Sequence, residues 1–363
     1  MIGKAIVKWV MMASNIFAAI LMLITLLGTV LNPNIFIFPA YLALVFPVII
    51  ALNISFVIFW LLARKWFFLL SLSILLISSS LINSTFPVHF GKFEPAESSN
   101  PIQILTYNTK MCGELKKHTL KNPNKVIQYI LDSNADIVCL QEFTVSENKD
   151  YLTQADVDCI FSKYPYRYIQ YKQKIKENGV ATFSKYPIIS KQTIKYPSNY
   201  NLSIYTDINI NGKIIRLINN HFESNRLTEK DKGMPRLLKQ NFDAKNIKGV
   251  TSHFSRKLGS AYKLRASQAD IVAKVISDSP YKVIVCGDFN DVPSSYTYTQ
   301  VKGKLKDAFA ETGTGLGWTF NDRYYHFRID YVLYDPNAFT PIEYRTDKVN
   351  YSDHYPVMCR MNI

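Results

Sequence analysis

The first quarter of the chain constrains its fold most, because residues 1–91 contain no aspartate or glutamate and only four basic residues. Three apolar runs fill this stretch, at about residues 6–31, 35–62 and 66–81. A helix needs roughly 20 apolar residues to cross the hydrocarbon core of a membrane, so two runs are long enough and the third is marginal but adequate. The sequence therefore predicts three transmembrane helices, the second kinked at Pro39 and Pro47, and not a single cleaved signal peptide.

The few charges of this stretch predict its orientation. Lys4 and Lys8 precede the first apolar run, and Arg64 and Lys65 separate the second from the third. The loop near residues 32–34 is uncharged. Because basic loops stay in the cytoplasm, three crossings would put everything after residue 85 on the outer face. We therefore expect a multi-pass protein of the cell membrane with an extracytoplasmic domain.

The remainder of the chain has the pattern of a mixed α/β domain. Predicted strands cover residues 102–108, 136–142, 166–171, 178–184, 202–210, 213–220, 283–286, 328–334 and the residues after 354, and predicted helices cover 122–131, 261–277 and 296–304. Asn211-Gly212 is a strong hairpin signal. Alternating strands and helices together with antiparallel pairs favour a four-layer α/β sandwich, in which two mixed β-sheets are flanked by helices. The expected domains are a membrane anchor at 1–84, a linker at 85–100 and an enzymatic domain at 101–363.

Polar residues stand where the predicted strands end. The apolar stretch Val283–Cys286 leads into Gly287, and Asp288 and Asn290 follow it two residues apart, on one side of the strand end. The same placement recurs along the chain for a set of eight residues: Asn108, Glu142, His221, Asp288, Asn290, Asp330, Asp353 and His354. A single polar strand end is ordinary turn chemistry, but eight of them indicate a site.

The chemistry that suits this set is metal-assisted hydrolysis of a phosphoester. Carboxylates such as Glu142 and Asp353 are hard oxygen ligands of the kind that Mg²⁺ prefers, and Mn²⁺ is also possible. A carboxylate can activate the attacking water, and imidazoles can stabilise charge or protonate the leaving group. The five cysteines show no CxxC spacing, so a zinc site is not expected, and no other cofactor is predicted.

Five short motifs occur in a fixed order: Leu140-Gln-Glu142, Asn219-Asn-His221, Gly287-Asp-Phe-Asn290, Arg328-Ile-Asp-Tyr331 and Ser352-Asp-His354. With them, the chain resembles the endonuclease/exonuclease/phosphatase superfamily, which has the deoxyribonuclease-I-like fold, over roughly residues 100–363. Each motif is weak alone, but the five together are specific. Nucleases, neutral sphingomyelinases and inositol polyphosphate 5-phosphatases share this fold, so the resemblance implies a hydrolase of phosphoric ester bonds.

The resemblance also implies a role for each residue of the set. Glu142 would be the main metal ligand, with Asn108 beside it contacting metal or phosphate and Asp353 completing the metal site. Asp288 would orient and activate the nucleophilic water, and Asn290 would hydrogen-bond the scissile phosphate. His221 would donate to a phosphate oxygen or to the leaving group. Asp330 would orient His354 and fix its tautomer.

The substrate stays open at this point. The alternatives are a nuclease acting on DNA or RNA, a sphingomyelinase-like phospholipase or lipid-headgroup phosphatase, and a surface binding module without activity. Residues 224–265 are strongly basic and could form an arm that gathers an anionic substrate, either nucleic acid or a lipid headgroup. A lipid substrate would also require apolar side chains around the site, for which Tyr296, Tyr298, Trp318, Phe320, Tyr324 and Tyr325 are candidates. No protein partner is predicted.

Overall fold

The protein is described here from a computed structural model, which covers residues 2–89, 101–172, 178–198, 200–228, 231, 233 and 244–363. Much of the predicted linker and part of the basic segment therefore lie outside the described residues. The described chain forms a bundle of apolar helices followed by an α/β domain.

The apolar part contains five helices: α1 Ile2–Gly28, α2 Phe38–Leu44, α3 Phe46–Leu62, α4 Phe68–Ile77 and α5 Ser79–Thr85. Only α1 is long and apolar enough to cross a membrane as one straight helix; α2 with α3, and α4 with α5, are pairs bent by 77° and 68°. If each bent pair is one span, up to three spans result. Pro47 in the first turn of α3 explains the first bend, because proline cannot donate the backbone hydrogen bond that would continue the preceding helix.

Buried polar side chains join the three apolar segments. Asn53 of α3 donates to the Ala18 carbonyl of α1 at 3.1 Å, and the Ser71 hydroxyl of α4 donates to Asn53 at 3.0 Å. Asn15 of α1 donates in turn to the Phe67 carbonyl at 3.1 Å. Such hydrogen bonds between apolar helices fix which faces meet.

The α/β domain contains 14 strands and six further helices among the described residues. The strands are β1 Ile102–Asn108, β2 Ile137–Phe143, β3 Tyr166–Gln170, β4 Gly179–Ser184, β5 Ile188–Ile194, β6 Ser203–Ile210, β7 Lys213–His221, β8 Lys282–Asp288, β9 Lys306–Asp307, β10 Phe320–Asn321, β11 His326–Phe327, β12 Asp330–Tyr334, β13 Thr340–Thr346 and β14 Val357–Asn362. The helices are α6 Lys110–Leu115, α7 Lys125–Asp132, α8 Gln154–Ile160, α9 Ala244–Ser277, α10 Tyr296–Lys302 and α11 Ala308–Thr312.

Two six-stranded mixed sheets pack face to face. Their strand orders are β13-β14-β1-β2-β4-β3 and β5-β6-β7-β8-β12-β9, and only the pairs β1–β2 and β7–β8 are parallel. Apolar residues of β7, β8 and β12 meet those of β1, β2 and β14 between the sheets. Helices α7 and α8 cover the outer face of the first sheet, and α9 and α10 cover that of the second. The predicted sandwich is confirmed in this domain.

Several boundaries differ from the sequence prediction. Helix α7 begins at Lys125, after an Asn124 N-cap, so Pro123 precedes the helix and is not in its first turn. Strands β5 and β13 were not predicted, because their exposed polar residues weaken the apolar signal.

The largest difference concerns the basic segment. Helix α9 begins at Ala244 and not near Ala261. Glycines at 249 and 259 and several serines lower the helix propensity of its first half, which explains why the sequence pattern did not reveal it. Much of the segment expected to be a basic arm is therefore a helix packed on the domain.

Gly287 lies inside β8, where the neighbouring strand approaches closely. Its φ is +119°, and a Cβ atom built there would be 2.1 Å from the Asn220 carbonyl oxygen of β7. Glycine is therefore required immediately before Asp288, because a side chain at this position would collide with the backbone of β7.

The apolar helices and the α/β domain are in direct contact. In the loop between α1 and α2, Asn32 donates to Asp270 of α9 at 3.0 Å. The Tyr41 hydroxyl of α2 donates to the Ser255 carbonyl of α9 at 2.8 Å. At the end of α5, the Ser84 carbonyl accepts a hydrogen bond from Arg328 at 2.5 Å. The loop after α1 and the end of α5 thus meet the same domain.

Candidate active site

Strand register brings three of the predicted residues side by side. His221 at the end of β7 pairs with Asp288 at the end of β8, and Asp288 pairs with Asp330 at the start of β12. Adjacent residues in neighbouring strands project to the same face of a sheet, so three polar side chains converge at one edge of this sheet.

The other sheet supplies the facing side chains. Asn108 ends β1, and its Nδ2 donates to Glu142 Oε1 at 3.2 Å and to Asp288 Oδ2 at 3.0 Å. This amide therefore connects the carboxylates of the two sheets. Its Oδ1 accepts from the Lys110 backbone N–H at 3.0 Å.

Glu142 is directed by an irregularity in its strand. The pairing of β2 with β4 shifts between Leu140 and Phe143, and Glu142 has a φ of +50°. A bulge of this kind re-aims a side chain at the end of a strand. Burial raises the pKa of Glu142, and the negative charge of Asp353 raises it further.

Asp288 is almost completely buried and accepts several hydrogen bonds. Its Oδ1 accepts from the backbone N–H of Asn290 at 2.7 Å, and its Oδ2 accepts from the side chains of Asn108 and Asn290 at 3.0 and 3.2 Å. Burial raises its pKa to about 7, with His354 opposing the increase and Asp330 adding to it. A carboxylate whose pKa is near neutrality can accept a proton from water at physiological pH.

His354 forms a buried pair with Asp330. Its Nδ1 lies 2.9 Å from Asp330 Oδ2, and its Nε2 lies 3.8 Å from Asp288 Oδ2. Burial alone would lower the pKa of His354, but the neighbouring carboxylates of Asp330 and Asp288 raise it to about 10. The ring is therefore an imidazolium near neutral pH.

His221 has the opposite electrostatic character. Burial, and then the charge of His354, lower its pKa to about 3, so its ring is neutral. Its Nε2 lies 3.6 Å from Glu142 and 3.8 Å from Asp288, beyond hydrogen-bond distance. Neither ring nitrogen has a hydrogen-bond partner within the described part of the chain. An unpaired buried imidazole beside two carboxylates is available to a ligand.

Asn290 lies directly against Asp288, as the spacing predicted. Its backbone has a φ of +51°, and its Nδ2 donates to the Phe222 carbonyl at 3.0 Å and to Asp288 at 3.2 Å. Both amide hydrogens are thus engaged, so in this arrangement Asn290 positions the Asp288 carboxylate.

The donor set fits a divalent cation at Glu142 and Asp353. Asp353 lies on the segment before β14, 3.3 Å from the Lys110 ammonium, and it raises the pKa of Glu142 by repulsion. A bound cation would relieve this repulsion, and both ligands are hard oxygens. Asn108 joins this pair through its nitrogen, so as placed it orients Glu142 and does not offer an oxygen.

A second group also has the spacing of metal ligands. One ligand atom each of Asp288, Asp330 and His354 lies within 4.8 Å of the others. In this structure, however, His354 Nδ1 contacts Asp330 Oδ2 at 2.9 Å and its Nε2 lies 3.8 Å from Asp288 Oδ2. This arrangement is that of an Asp–His pair beside Asp288.

A family profile described as the "Endonuclease/Exonuclease/phosphatase family" matches residues 105–354, which is more than half of the chain. The chain belongs to this family. Its activity class is accordingly that of a phosphoesterase, a hydrolase of phosphoric ester bonds. A second profile, described only as a domain of unknown function, matches residues 8–85. None of the curated proteins compared with the chain matches it.

The solved structures to which this chain is similar include the following three. A humanised zebrafish (D. rerio) TDP2 is 14% identical, with a TM-score of 0.48, covering 72% of this chain and 99% of its own. The 3′ phosphatase NExo from Neisseria, bound to a product DNA hairpin, is 17% identical, with a TM-score of 0.49 and coverages of 72% and 100%. A family protein from Bacteroides vulgatus is 16% identical, with a TM-score of 0.48 and coverages of 73% and 100%.

The structure adds residues to this family site that the sequence did not single out. The Thr319 hydroxyl accepts from the backbone N–H of Asp330 at 3.1 Å, and the Ser352 hydroxyl donates to the Asn108 carbonyl at 2.8 Å. Lys110 pairs with Asp353. Of the three, only Ser352 belonged to a recognised motif, and the others carried no signal because their contacts come from distant segments.

A cavity of about 490 Å³ opens beside these residues, lined by Glu142, Asp288, Asn290, Asp353 and His354. Of the aromatic residues suggested as an apolar border, Phe320 and Tyr325 line this cavity. Tyr296 and Tyr298 are instead buried in helix α10. Trp318 is largely exposed, next to His326.

Proposed function

We propose that the protein is a membrane-anchored, divalent-metal-dependent phosphoesterase, which hydrolyses a phosphodiester or phosphomonoester by in-line attack of a water activated by Asp288. The observation that carries this proposal is the pairing of a buried Asp288, whose pKa is near 7, with a charged His354 whose Nε2 is 3.8 Å away. Asp288 and His354 both line the cavity. A base beside a cation suits a reaction in which water loses a proton and the phosphoryl group gains negative charge.

The proposed step begins when Asp288 accepts a proton from water. The water oxygen forms a bond to phosphorus while the opposite phosphorus–oxygen ester bond breaks, and its electron pair stays on the leaving oxygen. The His354 imidazolium stabilises the negative charge that develops on the phosphoryl oxygens, the leaving oxygen takes a proton from solvent water, and Asp288 returns its proton to solvent. Asp330 holds His354 through its 2.9 Å contact and thereby fixes the direction of Nε2.

His221 and Asn290 are the proposed phosphate-binding residues. Neutral His221 has free ring nitrogens within the described structure, so it can donate an N–H to a phosphoryl oxygen. Asn290 can exchange its longer contact, the 3.2 Å hydrogen bond to Asp288, for one to the phosphate. That exchange would also remove a hydrogen bond that lowers the basicity of Asp288.

The proposed metal ligands are Glu142 and Asp353, with Asn108 orienting Glu142. Mg²⁺ is the expected ion, and Mn²⁺ is a possible substitute, because both accept carboxylate oxygens. When bound, the ion would polarise the phosphoryl oxygen and offset developing charge.

Metal dependence is tested with the full chain in lipid nanodiscs and the soluble diester bis(para-nitrophenyl) phosphate. We expect hydrolysis with Mg²⁺ or Mn²⁺, loss in EDTA and recovery when the metal is restored. Glu142→Gln should need a higher Mg²⁺ concentration, by at least about tenfold, since even outer-sphere changes cost roughly 10–100-fold. Glu147→Gln, an exposed change in the loop after β2, is the matched control. Equal hydrolysis in EDTA would refute the metal dependence.

For the membrane part we propose an anchor at residues 1–84, a linker at 85–100 and an extracytoplasmic enzymatic domain at 101–363, with three crossings. Two observations support the proposal. The loop containing Asn32 and the end of α5 at Ser84 both contact the α/β domain, so they lie on the same side of the helices. Arg64 and Lys65 lie between α3 and α4, in the connection that the positive-inside rule assigns to the cytoplasm.

A further inference from the structure

The wall of the cavity beside Asp288 is mostly apolar. Besides the candidate active-site residues, the lining includes the apolar side chains of Leu44, Val250, Phe254, Leu258, Phe320 and Phe327, of which Phe320 lies against His354. A volume of about 490 Å³ lies within the range of small-molecule pockets, roughly 300–1,000 Å³. A polar catalytic end joined to an apolar wall fits a substrate that has both characters.

Leu44 places one part of this wall in the membrane helices. It ends α2, which is bent by 77° from α3, at the break in the second apolar segment. Val45 and Val48, which follow it, are exposed apolar residues on the surface of the helical bundle. Leu44 therefore connects the cavity lining to a segment whose next apolar residues are exposed on the surface of the helical bundle.

Helix α9 forms the facing part of the wall. Val250, Phe254 and Leu258 are spaced by four residues, so they form one stripe on this helix, and this stripe lines the cavity. Further along, α9 lies against the loop after α1 and against α2, through Asn34 to the Lys263 carbonyl at 3.2 Å and through Tyr41 to Tyr262. The helix thus lies between the catalytic cavity and the membrane helices.

Of the described charged residues of the basic segment, residues 224–265, only Arg226 lines the cavity. Lys257 pairs with Asp231 at 2.5 Å, and Arg265 is buried against Asp291 at 3.1 Å. Arg226 and His354 are the cations among the described residues that line the cavity. A nucleic acid would need a row of cations along its backbone, whereas one phosphate with an apolar tail would not.

We propose that the substrate is a membrane lipid with a phosphoester headgroup, whose phosphate binds at Asp288 and His354 and whose hydrocarbon chain lies against Leu44 and the α9 stripe. This inference rests on the proposed phosphoesterase function and names the substrate class of the same site. The lipid would enter from the bilayer past α2, so its tail would never cross water.

The test uses the full chain in nanodiscs and a series of para-nitrophenyl alkyl phosphodiesters with butyl, hexyl and octyl chains, so that the leaving group stays constant. Burial of each methylene contributes about 0.8 kcal/mol, so kcat/KM should rise about four-fold for each methylene added. Bis(para-nitrophenyl) phosphate and single-stranded DNA complete the set of substrates.

Two variants separate binding in the cavity from partition of longer chains into the bilayer. Leu44→Gln and Phe254→Gln should flatten the dependence of kcat/KM on chain length. Leu70→Gln on α4 and Leu264→Gln on α9 make the same change at exposed positions outside the cavity lining, and they should keep the parent's dependence.

The outcomes distinguish the two proposals. Hydrolysis of bis(para-nitrophenyl) phosphate with no effect of chain length would overturn the lipid inference and leave the phosphoesterase function intact. Equal flattening in the Leu70 and Leu264 variants, or a higher kcat/KM for single-stranded DNA than for the octyl diester, would also overturn it. No hydrolysis of any substrate with any metal would overturn the proposed function, and the lipid inference with it.

Discussion

Two histidines at the site have opposite protonation states, and the reason is the carboxylates that surround each ring. The His354 ring lies 2.9 Å from an Asp330 oxygen and 3.8 Å from an Asp288 oxygen. The carboxylate nearest to His221 is that of Glu142, and its oxygen is 3.6 Å away. Burial therefore dominates at His221 and lowers its pKa to about 3, while the carboxylates prevail at His354. One ring can donate a neutral N–H and the other can supply a positive charge.

The pH dependence of hydrolysis should reflect the titration of two groups, Asp288 and His354. If Asp288 is the base, as proposed, kcat/KM should rise about tenfold per pH unit below its pKa of about 7, and it should fall again near pH 10, where His354 loses its charge. The two groups are close enough that the measured values belong to the pair. A pH profile of kcat/KM on bis(para-nitrophenyl) phosphate measures both limbs, and a profile that falls steadily from about pH 6 would contradict the assignment.

In the proposed mechanism Asp330 positions His354, and its replacement should move the alkaline limb of the pH profile. Asp330→Asn removes a carboxylate that raises the pKa of His354, so the loss of activity should begin at a lower pH. It should also lower kcat more than it raises KM, because the Nε2 direction is no longer fixed. An alkaline limb that stays at the parent's pH in Asp330→Asn would show that the pair does not control His354.

At the scale of elements, the site depends on how closely β7 and β8 approach. Asp288 pairs with His221 only because Gly287 lets the Asn220 backbone come close, and the same register aligns Asp330 on the other side. The bulge in β2 then turns Glu142 toward these residues from the opposite sheet. Strand packing, and not the loops, fixes most of the site.

Gly287→Ala should destabilise the domain by about 2 kcal/mol or more, because the added Cβ meets the Asn220 carbonyl and the residue keeps a φ of +119°. Gly212→Ala is the matched control, since its φ is +91° but no atom lies within 4 Å of the added Cβ. It should cost only the backbone strain, about 1 kcal/mol. Thermal unfolding of both variants measures the difference, and equal losses would show that the close approach of β7 is not limiting.

The sequence predicted the elements that carry the site better than those that surround it. Strands β1, β2, β7 and β8 have apolar runs that end on Asn108, Glu142, His221 and Asp288, so both their positions and their polar ends were visible. The first half of α9 was missed because helix propensity there is weak. Contacts such as Lys110 with Asp353 depend on segments far apart in sequence.

At the scale of the whole molecule, the α/β domain packs on the apolar helices through hydrogen bonds to the loop after α1 and to the end of α5. Arg328 illustrates the coupling, because it is buried against Asp307 at 2.7 Å, donates to the Ser84 carbonyl of α5, and lies two residues before Asp330. The sequence suggested an anchor joined by a linker, but it gave no sign that the domain would pack against the helices.

The proposed topology can be tested with a natural cysteine. Cys159 is exposed on the α/β domain, whereas Cys112, Cys139, Cys286 and Cys359 are buried. A membrane-impermeant maleimide should therefore label Cys159 in right-side-out membrane vesicles without detergent, and Cys159→Ser should abolish that labelling. In the Cys159→Ser background, Lys65→Cys should be labelled only in inside-out vesicles. The reverse pattern would place the catalytic domain in the cytoplasm.

The central claim is that Asp288 activates the water that attacks a phosphoester, and the most direct measurement of it is kcat on bis(para-nitrophenyl) phosphate for Asp288→Asn in nanodiscs with Mg²⁺. The same substitution at the exposed Asp278, at the end of the α9 segment, is the control. We predict a loss on the order of a thousandfold for Asp288→Asn and none for Asp278→Asn, with thermal unfolding showing both variants folded. A folded Asp288→Asn variant that hydrolyses the diester as fast as the parent would contradict the account.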